Sequence, residues 1–156
     1  MSYNENKKIL NDLKRFEAKI PEMVSNMGGI ALNHFTKSFA NQGFTDTTLE
    51  KWQPRKRTRY RTRSGKEVDD TTRGILIGKG SGNLRRSLKR VSLGRYGVII
   101  TSNLPYAKIH NDGLMGRAWG KYAFKMPKRQ FVGYSRVMNA KIESKIHSII
   151  KKVLPT

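Results

Sequence analysis

The chain has 156 residues and a mass of 17.9 kDa, enough for one domain with a real core. Its 32 Lys and Arg against 11 Asp and Glu give a formal net charge of +21, which calls for an anionic partner or an acidic protein neighbour. The absence of cysteine excludes disulfides, Cys-ligated zinc, iron–sulfur clusters and thiol catalysis, and without an apolar run near the roughly 18 residues of a membrane helix, or a signal-peptide stretch in MSYNENKKIL, no membrane role is expected.

Residues 4–20 carry Ile9, Leu10, Leu13, Phe16 and Ile20 at helical spacing. Pro21 is expected to interrupt this segment, because proline is at home in a first helical turn. A second stripe follows in Met23, Val24, Met27, Ile30, Ala31, Phe35 and Phe39, a helix of about 18–20 residues. Gly28 and Gly29 weaken it by roughly 1 kcal/mol each, which points to close packing of another element on that face. Gly43 is the expected stop signal.

Residues 43–74 read as a long basic excursion with little regular structure, anchored to the body by Trp52. Ile75-Leu76-Ile77 is a short strand or an apolar anchor. Asn83 or Ser81 can cap a short helix holding Leu84 and Leu88. A hairpin is predicted over 89–93 and 97–102, turning at Arg95-Tyr96-Gly97, and Pro105 ends its second strand. Residues 106–110 form a short helix, 113–121 a glycine-rich loop with Trp119, and 122–126 a strand. Phe131 is a core anchor. The last helix shows Val137, Met138, Ile142, Ile146, Ile149, Ile150 and Val153 on one face. The predicted class is α+β: one domain over 1–156, with a small antiparallel sheet packed by a long N-terminal helix and a C-terminal helix. Within it, 1–21 is an N-terminal helical segment.

The charge is uneven. Residues 1–50 hold six basic and six acidic residues, residues 51–95 fifteen and three, and residues 96–156 eleven and two. In the run Arg55-Lys56-Arg57-Thr58-Arg59-Tyr60-Arg61-Thr62-Arg63, six of nine residues are cationic. Self-repulsion and the lack of apolar residues make it an exposed loop or the tip of an extended hairpin, ordered when anions or a partner cover it. Tyr60 alone is weak as a base-stacking platform.

Most catalytic patterns fail. Gly78-Lys79-Gly80-Ser81-Gly82 invites phosphate binding before a helix, but the spacing matches no nucleotide-binding loop. His34, His110 and His147 are widely separated, so no metal set forms, and a His110–Asp112 dyad is disfavoured because sequence neighbours rarely point at each other. Glu143-Ser144-Lys145 matches the end of a nuclease motif but falls on a helix. Neither enzyme activity nor a metal or cofactor is expected.

Four stretches together resemble the phage virion morphogenesis family of tail-completion or head–tail joining proteins. They are Phe35, Phe39 and Phe44 running to Trp52-Gln53-Pro54; Gly82-Asn83-Leu84-Arg85-Arg86-Ser87; Tyr106-Ala107-Lys108-Ile109-His110-Asn111-Asp112-Gly113; and Met126-Pro127-Lys128-Arg129-Gln130-Phe131-Val132-Gly133. The resemblance spans about residues 22–155. It implies a virion structural protein without catalysis, made in the host cytoplasm. It implies a ring of six subunits at the head-proximal end of the tail or in the neck, beside portal, adaptor or tail-tube proteins, with double-stranded DNA in the lumen.

Within that reading Arg55, Lys56, Arg57, Arg59, Arg61 and Arg63 are candidate contacts to DNA or an acidic neighbouring ring, with Arg85, Arg86, Lys89 and Arg90 second. Trp52, Leu84, Tyr106, Ile109, Phe131 and the face from Ile142 and Ile146 to Val153 are the structural anchors. The competing reading is a free, sequence-independent nucleic-acid-binding protein. It lacks a helix-turn-helix or RNA-recognition signature. A metal-dependent nuclease using Asp112 or Glu143 is the third.

Overall fold

The computed structural model describes residues 2–56, 59–78, 82–118 and 121–154. Its first element, α1 (Tyr3–Asn41), is one 39-residue helix, about 58 Å long, that runs through Pro21. The expected break at Pro21 is therefore corrected to a continuous helix. Proline removes the N–H that would bond the carbonyl of Glu17. Arg95 supplies a replacement donor, its Nη2 lying 2.9 Å from that oxygen. Ser2 and Glu5 form a capping box at the N-terminus. Gln42, not Gly43, takes the left-handed conformation that ends α1. Its side chain accepts from Ile75 N and donates to Phe39 O, which ties residues 75–77 to the helix end.

The C-terminal helix α4 (Arg136–Val153) packs along α1 in the opposite direction. Its start is fixed from both sides. Ser135 is fully buried, and its hydroxyl accepts from Met138 N at 3.1 Å. The Asp46 carboxylate accepts from Arg136 N at 2.7 Å and its carbonyl from Val137 N at 3.1 Å. A carboxylate there also opposes the positive end of the helix dipole. Met23 near the middle of α1 and Ile149 and Val153 on α4 are buried.

The core sits at the other end of the pair. Phe35, Phe39, Phe44, Trp52, Leu84, Leu88, Ala107, Phe131 and Met138 form one buried cluster. Phe39 meets Trp52 edge-on at 5.5 Å and Phe131 at a tilt of 45° and 5.2 Å between ring centres. The indole N–H of Trp52 donates to Gln130 O at 2.7 Å. The segment 75–77 is a turn packed on this cluster, not a strand. Two short helices, α2 (Asn83–Ser87) and α3 (Tyr106–Asp112), supply Leu84 and Ala107. The N-cap of α2 is Gly82 and no side chain caps it, so Asn83 does not cap as expected; Ser81 lies outside the described residues.

The strands form four antiparallel hairpins among the described residues rather than one sheet. They are β1–β2 (Gly43–Thr45 with Leu49–Lys51), β3–β4 (Arg59–Arg61 with Glu67–Asp69), β5–β6 (Lys89–Ser92 with Val98–Thr101) and β7–β8 (Met115–Ala118 with Tyr122–Lys125). The α+β class stands. Two hairpins occupy the excursion 43–74, and a third replaces the expected loop at 113–121. Trp119 lies outside the described residues. The β5–β6 hairpin crosses α1 where the helix has no side chain: a Cβ at Gly28 would stand 2.5 Å from Arg90 Cδ and 2.7 Å from Val98 Cγ2. That is the close packing expected on this face, and it falls on Gly28; a Cβ at the exposed Gly29 would meet only Arg90 Nη1, at 4.0 Å.

Candidate functional site

The cationic run is divided by the fold. Arg55 turns inward. Its guanidinium donates to the carbonyls of Asp70 and Arg73, the latter at 2.7 Å, and lies 4.0 Å from the Asp70 carboxylate. Asp70 also takes Arg73 at 2.7 Å. Arg55 precedes β3 and Asp70 follows β4, so this cluster latches the base of the β3–β4 ribbon. Arg55 is thus corrected from a surface contact to a half-buried latch.

Beyond the latch the ribbon is solvent-facing. Arg59 pairs with Asp69 at 3.0 Å and Arg61 with Glu67 at 2.6 Å, each across the register of the ladder. Tyr60 and Val68, opposite each other on the second face, are half-buried. Lys56 is exposed, and Arg63 and Lys66 are exposed at the turn. Arg57 lies outside the described residues. The exposed cross-strand pairs explain how so cationic a segment pairs as a ladder. Each is worth at most about 1 kcal/mol and is screened by salt, so the guanidiniums remain open to stronger anions.

The second group lies elsewhere. Arg85 and Arg86 are exposed on α2, Arg86 donating to Asn83 Oδ1 at 3.2 Å. Lys89 is exposed on β5. Arg90, also on β5, is tied to α1 through Ser25 O at 2.9 Å. Its stem covers Gly28, so it serves the helix–hairpin contact first. Of the anchors, Trp52, Leu84 and Phe131 are buried, and Val153 with them; Ile109, Ile142 and Ile146 are half-buried. Tyr106, the remaining anchor, is 39 % exposed and lies edge-on to His110 on the wall of a cleft.

That cleft, a cavity of about 370 Å³, sits beneath the ribbon's base, lined by Arg55, Arg73, Leu84, Tyr106, His110 and Arg129 among others. Arg129 is the residue the sequence reading missed. It is 7 % exposed, and donates through Nε to Gln53 O at 3.1 Å and through Nη2 to Pro54 O at 3.4 Å. Burial, and then the Arg55 charge, lowers its pKa from the ordinary arginine value. Burial, and then Arg129, lowers the pKa of His110, whose Nδ1 is buried without a hydrogen-bond partner. Arg55 and Arg73 share the carboxylate of Asp70 there, while Arg129 is held by main-chain carbonyls. Among the described residues no group of three His, Asp or Glu could hold a metal ion, and no helix is long and apolar enough to cross a membrane.

The four sequence stretches meet at this place. Arg129 and Gln130 of the fourth bond Gln53, Pro54 and Trp52 of the first. Arg129 N donates to His110 O of the third at 2.8 Å. Asn111 Oδ1 accepts from Phe131 N and Val132 N, both at 2.9 Å. Leu84 of the second packs in the shared cluster. The model of the phage virion morphogenesis family matches residues 2–151. The chain belongs to the phage virion morphogenesis family. No curated protein and no solved structure shows a match. Membership assigns the chain a role in building the virion. The family match takes in both the anchoring core and the cationic ribbon set on it.

Proposed function

We propose that this chain is a non-enzymatic tail-completion or head–tail joining subunit. Six copies form a ring at the head-proximal end of the tail, as a tail terminator or one layer higher in the neck, between portal, adaptor or neck proteins and the tail tube. The β3–β4 ribbon carries its exposed cations toward DNA in the lumen or toward an acidic neighbouring ring. The observation that supports this most is a latched ribbon with Lys56, Arg59, Arg61, Arg63 and Lys66 outward. A sequence-independent phosphate contact suits a channel that DNA must traverse, since it is screened by salt and reads no bases.

Electron microscopy of a lysate from a phage lacking this gene tests the reading. Filled heads beside unattached tails, or tails of abnormal length, are expected; abnormal length favours the terminator over the neck. Normally tailed particles would overturn it. The exposed arginines would then favour the alternative, a free sequence-independent nucleic-acid-binding protein. That reading predicts micromolar or tighter DNA binding by the isolated chain with a steep salt slope.

A further inference from the structure

The N-terminal part of α1 has an apolar face that none of the described residues of its own chain covers. Burial fades along one stripe. Met23 is buried, Ile20 and Phe16 are half-buried, and Leu13, Leu10 and Ile9 are exposed, Leu13 at 60 %. The C-terminal end of α4 reaches α1 at Arg15 and Ala18, and the turn of β5–β6 reaches it at Glu17. The helix continues about 18 Å beyond, from residue 14 back to residue 3. A second uncovered apolar face lies on that same hairpin. Its inner face, with Val98 and Arg90, rests on α1. Its outer face carries Val91 directly opposite Ile99, with Leu93 next along, all exposed.

We infer that the α1 stripe of one copy docks on the outer β5–β6 face of a second copy. Charge selects this pairing. Two chains of +21 repel, but residues 1–50 hold as many acidic as basic residues. Residues 71–111 hold eight Lys and Arg and no Asp or Glu. Face-to-face pairing of hairpins would set cations against cations. Placing the overhang on the hairpin sets a near-neutral segment, with Glu5 and Asp12 against Lys7, Lys8 and Lys14, on a cationic part of the next. Glu5 and Asp12 flank Ile9 at four residues before and three after, on the stripe's side of the helix. Among the described residues Asp12 is held only by an exposed Arg15 at 3.7 Å, so it is open to Lys89 on the facing hairpin. The two faces differ, so the contact is heterologous and repeats from copy to copy until a ring closes. This deepens the assembly reading and rests on it.

The chain has no cysteine, so introduced pairs are its only thiols. The test uses the full chain at tens of micromolar. Sedimentation is expected to show an oligomer for the natural chain and a monomer for Leu13→Asp and for Ile99→Asp, with unchanged helical circular dichroism. Should either charged variant fail to fold, the milder Leu13→Cys and Ile99→Cys chains decide. Mixed together, they are expected to give an interchain adduct with a short bismaleimide, at least tenfold above either alone. Four results overturn the inference. They are an oligomer indifferent to both charged variants, no adduct in the mixture, Leu13→Cys crosslinking equally well to itself (a two-fold helix pair), and a monomeric natural chain. None of these decides the lysate experiment. Tail defects there together with any of them would sink this interface and leave the joining role standing.

Discussion

The Arg95 guanidinium donates to the main-chain carbonyl of Glu17, the one oxygen in α1 that Pro21 leaves without its helical donor. The same guanidinium lies 3.7 Å from the Glu17 carboxylate. A hairpin turn thus repairs a defect in a helix 78 residues earlier in the chain. Proline in a helix interior costs roughly 3 kcal/mol, part of it the lost hydrogen bond. Position 21 therefore depends on position 95.

A double-mutant cycle measures that dependence. Arg95→Ala should destabilise the natural chain by about 1–2 kcal/mol, from one charge-assisted hydrogen bond and a weak exposed ion pair. In a Pro21→Ala background the amide returns to Glu17 and the same change should cost less. A coupling of about 0.5–1 kcal/mol in urea unfolding is expected. Strict additivity would show that Arg95 does not compensate the proline.

Asn111 offers a second position where one side chain holds two segments. Its Oδ1 receives the amides of Phe131 and Val132, so Asn111→Leu leaves two part-buried donors unpaired. About 2–4 kcal/mol should be lost, close to the 3–5 expected for Phe131→Ala. Asn111→Asp keeps the acceptor and should retain most of the stability. Equal losses for both variants would mean that the amide nitrogen, not the oxygen, matters.

Much of this architecture was legible in residue patterns. Phe35 and Phe39 at helical spacing, Phe131 and the final amphipathic helix all follow from which faces exclude water, whereas Val98-Ile99-Ile100 reads as a wholly buried strand and leaves Ile99 exposed. The misreadings share a cause: a distant partner overrode a local signal. Pro21 reads as a break because its rescue by Arg95 is 74 residues away. The cationic run reads as a loop or the tip of an extended hairpin; the hairpin is what forms, and its ladder depends on Arg59 and Arg61 finding Asp69 and Glu67 across the strand. Arg55 reads as surface because its acceptors are carbonyls at 70 and 73. The Ser2-x-x-Glu5 cap, by contrast, was present as a local signature and went unused.

Acidification should destabilise the protein between pH 7.5 and 5. Burial lowers the pKa of His34, an effect only partly opposed by its hydrogen bond to Thr45 O at 2.9 Å. Burial and then Arg129 lower that of His110. Below about pH 6.5 the unfolded chain binds protons that the folded one resists, so stability is present above that pH and declines as pH falls toward the folded pKa values. Glu22 and Asp69, also lowered, act only below about pH 4.5. Urea midpoints at pH 7.5 and 5.5 should differ in the natural chain and differ less in His110→Gln. A flat profile would contradict the burial of both rings.

The division of the cationic run gives the sharpest test of the ribbon. Arg59, Arg61, Arg63 and Lys66 are exposed, and replacing all four with Ser removes exposed pairs worth at most about 1 kcal/mol each, so the melting temperature should change little. If the ribbon meets phosphates, each lost contact lowers the slope of log K against log salt by about 0.9 on duplex DNA. The quadruple variant should then lose up to about 3.6 of that slope. Arg55→Ala should do the reverse. It opens the latch beneath the ribbon and leaves the Asp70 and Arg73 carbonyls without their donor, at a cost of about 1–3 kcal/mol, while lowering the slope by less than one. Salt titrations of DNA binding, read beside thermal melts of both proteins, separate the two roles. A ribbon variant that unfolds would make those four cations part of the packed structure, and a slope that survives their removal would direct the ribbon to a protein neighbour instead of DNA.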